Sequence, residues 1–231
     1  MREYRLKEYG SWSVLVLSYA AGLAVSGSVT VASLAPLLAL SLCINAKQAF
    51  VLWIRRSGPA PARAGGAFLL QILAATLILL VIFGSSLLRL LPYAFVPLLY
   101  LLLLKGAGEH ALVTEIAGFA LLALSALIAR FAASGVVDPA LFAAVALFFA
   151  AGVFKVRVHL RRGLSERILM GLYVLFCLAV YSVMSTPVII LLPLFDNLLF
   201  AALLYRVRLK TLGWIEVLKG MLFLLLAFLF Y

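Results

Sequence analysis

Long apolar runs, broken at short intervals by charge, proline or glycine, set the pattern of this chain. A helix needs about 20 mostly apolar residues to cross a hydrocarbon core of about 30 Å, and runs of that kind recur from Ser11 to Tyr231. They predict nine spans, at 11–27, 31–53, 66–83, 87–104, 112–132, 139–155, 168–185, 187–205 and 213–231. The implied fold class is all-α, a polytopic transmembrane helix bundle forming one domain over 1–231. Two breaks rest on few residues: Gly84-Ser85-Ser86, and Met184-Ser185-Thr186-Pro187. The loops are too short to fold by themselves, so function must sit within or between the helices.

Composition agrees with the pattern. Of 231 residues, 67% are hydrophobic and 12% charged, whereas soluble domains carry about 25% charge. Most of the 19 Lys and Arg fall on the side shared by the N-terminus and the even-numbered loops. The opposite side has only Arg89 and Arg130, while Lys47 and Lys219 lie inside spans. Basic residues accumulate in cytoplasmic loops, which places the N-terminus in the cytoplasm, the C-terminus outside and the protein in the cytoplasmic membrane. A net charge of +11 would suggest nucleic acid for a soluble protein. Here the charges flank helices in short clusters, so topology and anionic membrane lipids are the expected partners and nucleic acid is not. Cys43 and Cys177 sit alone in apolar spans, without the spacing of a metal or redox site.

Ionisable groups within a span are expensive and mark candidate functional sites. At a rise of about 1.5 Å per residue, Glu115 and Glu216 are shallow, Lys47 and Lys219 lie roughly 9 Å in, Asn45 about 12 Å and Asp196 roughly 14 Å. Gln48, Gln71 and Asn197 join the same half of the membrane. The expectation is a single polar pocket open to the cytoplasm, with Asn45, Lys47, Gln48, Glu115, Asp196, Asn197, Glu216 and Lys219 as ligand-pocket candidates. Lys47 or Lys219 would supply the countercharge to Asp196. Glu8, Lys155, Arg157 and His159 are rim candidates, the last three in the predicted loop "VRVHLRRGLSER" and just before it. The other long predicted loop is "SGPAPARAGG". The small residues Gly22 and Gly118 predict close helix approach.

The hexapeptide "KEYGSW" at 7–12, followed by an apolar run containing Gly22, resembles the start of the YwiC-like membrane protein family, whose signature there is similar to Arg-Glu-His-Gly-Ala-Trp. Glu8, Gly10 and Trp12 fit, and Tyr9 stands where histidine is usual. "KVRVHLRRG" and "LGWIEVLKG" extend the likeness weakly. The family resemblance implies a membrane location and no assigned activity. In this setting Glu8 is read as part of the pocket rim, Gly10 as a turn and Trp12 as an interfacial anchor.

The predicted architecture also resembles the UbiA-type prenyltransferases, which hold diphosphate through magnesium on aspartate-rich loops after the second and sixth spans. Asn45 matches that family's first motif, but Ala49 and Trp53 replace aspartates, and the second region offers Lys155, Arg157 and His159. Magnesium prefers oxygen ligands, so no metal or cofactor is expected, and binding of an anion by Lys and Arg is the chemistry that remains. The functional expectation is a binder of a lipid-like, anionic or isoprenoid small molecule, or an accessory subunit of a larger membrane complex. The alternatives are a prenyl or lipid transferase without the usual magnesium site, and a solute or proton transporter. No catalytic residue is assigned.

Overall fold

The computed structural model describes residues 9–55, 60–205 and 207–231, and every regular element among them is helical. In chain order these are α1 (Tyr9–Ser26), α2 (Val31–Leu34), α3 (Pro36–Arg55), α4 (Ala60–Phe83), α5 (Phe95–Gly106), α6 (Leu112–Ser134), α7 (Pro139–Arg161), α8 (Leu164–Val183), α9 (Phe195–Leu203) and α10 (Leu209–Phe230). Two 3-10 segments, Gly84–Ala94 and Val188–Leu194, precede α5 and α9. Glu8 lies outside the described residues.

Seven helical stretches among the described residues are long and apolar enough to cross a membrane, and Val188–Leu203 is a shorter apolar one. The chain is therefore an all-α, multi-pass membrane protein. The predicted spans 66–83 and 87–104 fall in one continuous helical stretch, Ala62–Gly106, whose 45 residues are over twice the roughly 20 that one crossing needs. Its middle is 3-10 helix because Gly84 takes φ +54° and Pro92 has no N–H to donate. Phe83, ending α4, packs on Phe131 near the end of α6, while the Leu103 carbonyl in α5 accepts from Thr114 in the first turn of α6. The two arms thus meet opposite ends of α6. The predicted span 187–205 is likewise part 3-10, with Pro193 inside it, and α9 stops where Leu204 takes φ 48°. Arg167, near the start of α8, donates to the Ala201 carbonyl near the end of α9.

Helix ends depart from the sequence-based boundaries where charge interrupts an apolar period. α7 runs to Arg161, six residues past its predicted end, because Val156, Val158 and Leu160 continue the run. Its stop is Arg162 in the left-handed region, followed by Gly163. Residues 156–161 are therefore helix, and so are residues 60–66 of the other predicted loop.

α7 is the most buried of the seven stretches and packs on α6 and α8; Ala62–Gly106 is the least buried. A shared apolar core joins residues of α1, α6, α7, α8 and α10, including Ala126, Val145, Cys177 and Phe223. Apolar burial gives little drive between helices already in lipid, so close approach and interhelical hydrogen bonds matter more. α1 meets α6 at Gly22, where an added Cβ would overlap the Ala126 carbonyl oxygen and lie 2.8 Å from Ala129 Cβ. Along this seam Ser125 Oγ, next to Ala126, donates to the Leu15 carbonyl at 3.1 Å.

At the end where α6 stops and α7 starts, Asp138 does three jobs. It caps α7 by accepting from the Leu141 N–H at 2.9 Å, pairs with Arg130, and accepts from the Tyr231 hydroxyl at 3.0 Å. Asp138→Ala removes the cap and leaves Arg130 without its carboxylate. A loss of about 2–4 kcal/mol of stability is expected, read as a lower midpoint in thermal unfolding of the detergent-solubilised protein.

Candidate functional site

The opposite end, where α6 begins and α7 finishes, gathers the predicted polar residues. Lys155 and Arg157 are two positions apart on α7 and so project to different sides of that helix. Lys155 turns inward. Its side chain is fully buried, it pairs with Asp196, and its Nζ lies 3.0 Å from Glu216 Oε1. Lys219, one turn after Glu216 on α10, reaches both Glu216 oxygens at 3.0 and 3.1 Å, donates to Asn197 Oδ1, and lies 3.7 Å from Asp196 Oδ2. Asn197 Nδ2 donates to the Ala151 carbonyl at 3.2 Å, and the Tyr205 hydroxyl donates to Asp196 Oδ1 at 3.0 Å.

Two ammonium groups and two carboxylates therefore balance one another within the bundle. Asp196 sits in the first turn of α9, where the helix N-terminus favours negative charge. Gly152 of α7 leaves room for the cluster: a Cβ there would lie 3.3 Å from Glu216 Oε2. A charge in such a group is stable only while its partners remain.

Arg157 faces α6. Its Nε and Nη2 meet Glu115 Oε2 at 3.0 and 2.7 Å, and Nη2 also donates to the His110 carbonyl at 2.8 Å. Glu115 and Phe119, one turn apart on α6, line two cavities, each with about 330 Å³ open to water-sized molecules but with unequal empty space in all, about 1330 and 740 Å³ including their open mouths. The larger lies among α1, α3, α4, α5 and α6, with apolar walls that include Leu15, Ile44, Phe68, Ile72 and Leu121. Its polar end carries Lys47, Glu109, Thr114 and Glu115, and Lys47 pairs with Glu109 at 3.1 Å. The smaller is lined by His110, Gly152, Val156, Arg157 and Arg161 among others.

The structure corrects the expectation of one vestibule. Asp196, Asn197, Glu216 and Lys219 come together, but Lys47 and Glu115 stand on the larger cavity, because α3 packs on α4 and α6 while α9 packs on α7 and α8. Lys47 is therefore not the countercharge of Asp196; Lys155 and Lys219 are. Lys155 belongs to the core of the cluster and not to a rim, since α7 continues past it. Asn45 donates to the Ser41 carbonyl on its own helix at 3.0 Å, and Gln48 is half-buried on α3; neither lines the two cavities. His159 stacks obliquely near Phe200, its Nδ1 buried with no hydrogen-bond partner among the described residues.

Sequence reasoning misses Glu109, Tyr205 and Gly152. A carboxylate in the turn "GAGEH" beside predicted basic ends was a signal for the first. Nothing in the sequence pointed to Gly152, whose role exists only opposite Glu216.

The family model for YwiC-like proteins matches residues 7–130. The chain belongs to the YwiC-like family. No curated protein and no solved structure matches it. In this YwiC-like chain the matched segment runs from the opening hexapeptide into α6 and contains every residue lining the larger cavity, from Ser11 to Ile128. The ion cluster and two thirds of the smaller cavity's lining are built from residues beyond it. Cys43 lines the larger cavity and is half-buried, while Cys177 is fully buried in the core.

Proposed function

We propose that this YwiC-like protein binds a lipid-like small molecule, its apolar tail in the larger cavity and its head among the charged groups at the polar end. One observation carries the reading: a cavity of about 330 Å³ has apolar walls and ends at Lys47, Glu109 and Glu115. That volume falls in the ~300–1,000 Å³ range of small-molecule sites, which are mostly apolar with a few placed polar groups. α4 packs on α3 and α5 on α6, and both α4 and α5 line the cavity. This seam belongs to the least buried stretch of the chain, so a ligand reaches the cavity sideways from lipid.

The same reading takes the α4–α5 and α8–α9 units as hairpins, which gives nine crossings. Support comes from Phe83 and Leu103 meeting opposite ends of α6, and from Arg167 meeting Ala201. The excess of Lys and Arg at the polar end supports a cytoplasmic orientation for it, in the cytoplasmic membrane.

The test is a native mass-spectrometric inventory of molecules retained by the purified protein. Leu121→Trp, which fills the cavity, is expected to lose a ligand that the wild type retains, with helicity unchanged. Equal retention by both would count against the reading.

A second reading, carriage of protons or a solute, is favoured by the Lys155, Asp196, Glu216 and Lys219 cluster inside the bundle. Uptake by proteoliposomes that Asp196→Asn abolishes would establish it, and uptake unaffected by that change would remove the cluster from it.

A further inference from the structure

Glu115 and Phe119 form the wall shared by the two cavities, and Glu115 holds the Arg157 fork through two N–H groups. A guanidinium fork of this kind matches a phosphate as well as a carboxylate. We propose that Glu115 is a built-in substitute for the headgroup of a phosphate-bearing amphiphile, which displaces it from Arg157 when bound. This rests on the binding reading above and names its ligand class.

The charges at the junction favour a phosphate monoester. Arg157 and Arg161 both line the smaller cavity, and Arg161 is 64% exposed and pairs with Glu166 at 3.4 Å. Once Glu115 swings away, two guanidinium groups face that space. A phosphate monoester brings about −1.5 to −2 charges near pH 7 and balances them. Its chain would lie in the larger cavity, which shares the Glu115 and Phe119 face of α6 with the smaller one that Arg157 lines. Glu115 also sits in the first turn of α6. A phosphate taking its place gains the same helix N-terminus, whose N–H groups and dipole favour anions.

In the free protein Glu115 competes with the ligand for one fork. Removing its charge therefore strengthens binding of a phosphate, although a carboxylate on the wall of a binding site would ordinarily be read as a ligand contact whose loss weakens binding.

The experiment is calorimetric titration of the full chain in lipid nanodiscs with dodecyl phosphate and with dodecanol. Glu115→Gln is expected to bind dodecyl phosphate about tenfold tighter than wild type, about 1.4 kcal/mol, and to raise the preference for the phosphate over dodecanol. Arg157→Gln is expected to lose the preference for the phosphate over the alcohol. The wild-type chain gives an independent measurement that needs no variant: dodecyl phosphate should raise carbodiimide coupling at Glu115, read by peptide mass spectrometry, because the carboxylate leaves its partner. If Glu115→Gln binds the phosphate no tighter, or coupling at Glu115 fails to rise, the displacement is overturned while dodecanol binding still stands for the cavity. If dodecanol does not bind the wild type either, the binding reading falls with it.

Discussion

Lys155→Met is expected to lower stability by about 3–5 kcal/mol, the range for stranding a partner of a buried ion pair. The side chain is fully buried, and its loss leaves Asp196 and Glu216 to share Lys219. Methionine fills the aliphatic volume, so the effect isolates the missing charge. For a chain of this length, each kcal/mol moves the thermal midpoint by about 2–4 °C, so a fall near 10 °C should be visible in detergent. The double variant Lys155→Met/Glu216→Leu restores neutrality by leaving Lys219 with Asp196. It should regain most of the loss, since apolar replacement of a buried pair is often neutral. A double variant as unstable as the single would mean that packing at Lys155, and not charge balance, holds α7 to α9 and α10.

The second large effect is at Gly22. A valine there has no rotamer that avoids the Ala126 carbonyl, because the overlap begins at Cβ and the neighbour is backbone. α1 must move away from α6, breaking the Ser125 hydrogen bond to Leu15 and the packing between them. Overpacking typically costs about 1–3 kcal/mol, and here the yielding element is a whole helix, so Gly22→Val should reach the upper end or prevent accumulation of folded protein. Gly171 is the internal control. It lies within α8 with open space where a Cβ would go, so Gly171→Ala should be neutral or stabilising by about 0.5–1 kcal/mol. Both are read from the fraction of protein that remains monodisperse after heating.

The all-α character and the seven long apolar stretches were legible because each run is at least about as long as a bilayer is thick, and that depends on composition along the chain alone. Their ends were less so. Arg157 and His159 read as loop because charges cluster there and Lys155 as the last residue of its span, yet Val156, Val158 and Leu160 keep the segment apolar on more than one side and carry the helix to Arg161. Depth along a helix could be counted from sequence, which put Asp196, Asn197 and Lys219 in the same half of the membrane, and in the structure those three side chains meet. Which side of the bundle each faces could not, because that is set by helix neighbours. Lys47 shares the depth of Lys219 but stands on α3, and pairs with Glu109 instead of Asp196. Close approach at Gly22 was readable from the small residue. Gly118 differs in its neighbour: it meets the Tyr100 ring of α5, a side chain and not backbone, beside the larger cavity.

Cys43 offers the most direct test of the claim that the larger cavity holds an alkyl chain, since this native thiol lines it while Cys177 is buried in the core away from it. The measurement is the rate of N-ethylmaleimide labelling at each cysteine, in nanodiscs, as dodecanol is added. Saturable slowing at Cys43 with no change at Cys177 is the predicted result. Labelling of Cys43 at a constant rate across the whole titration would contradict the account.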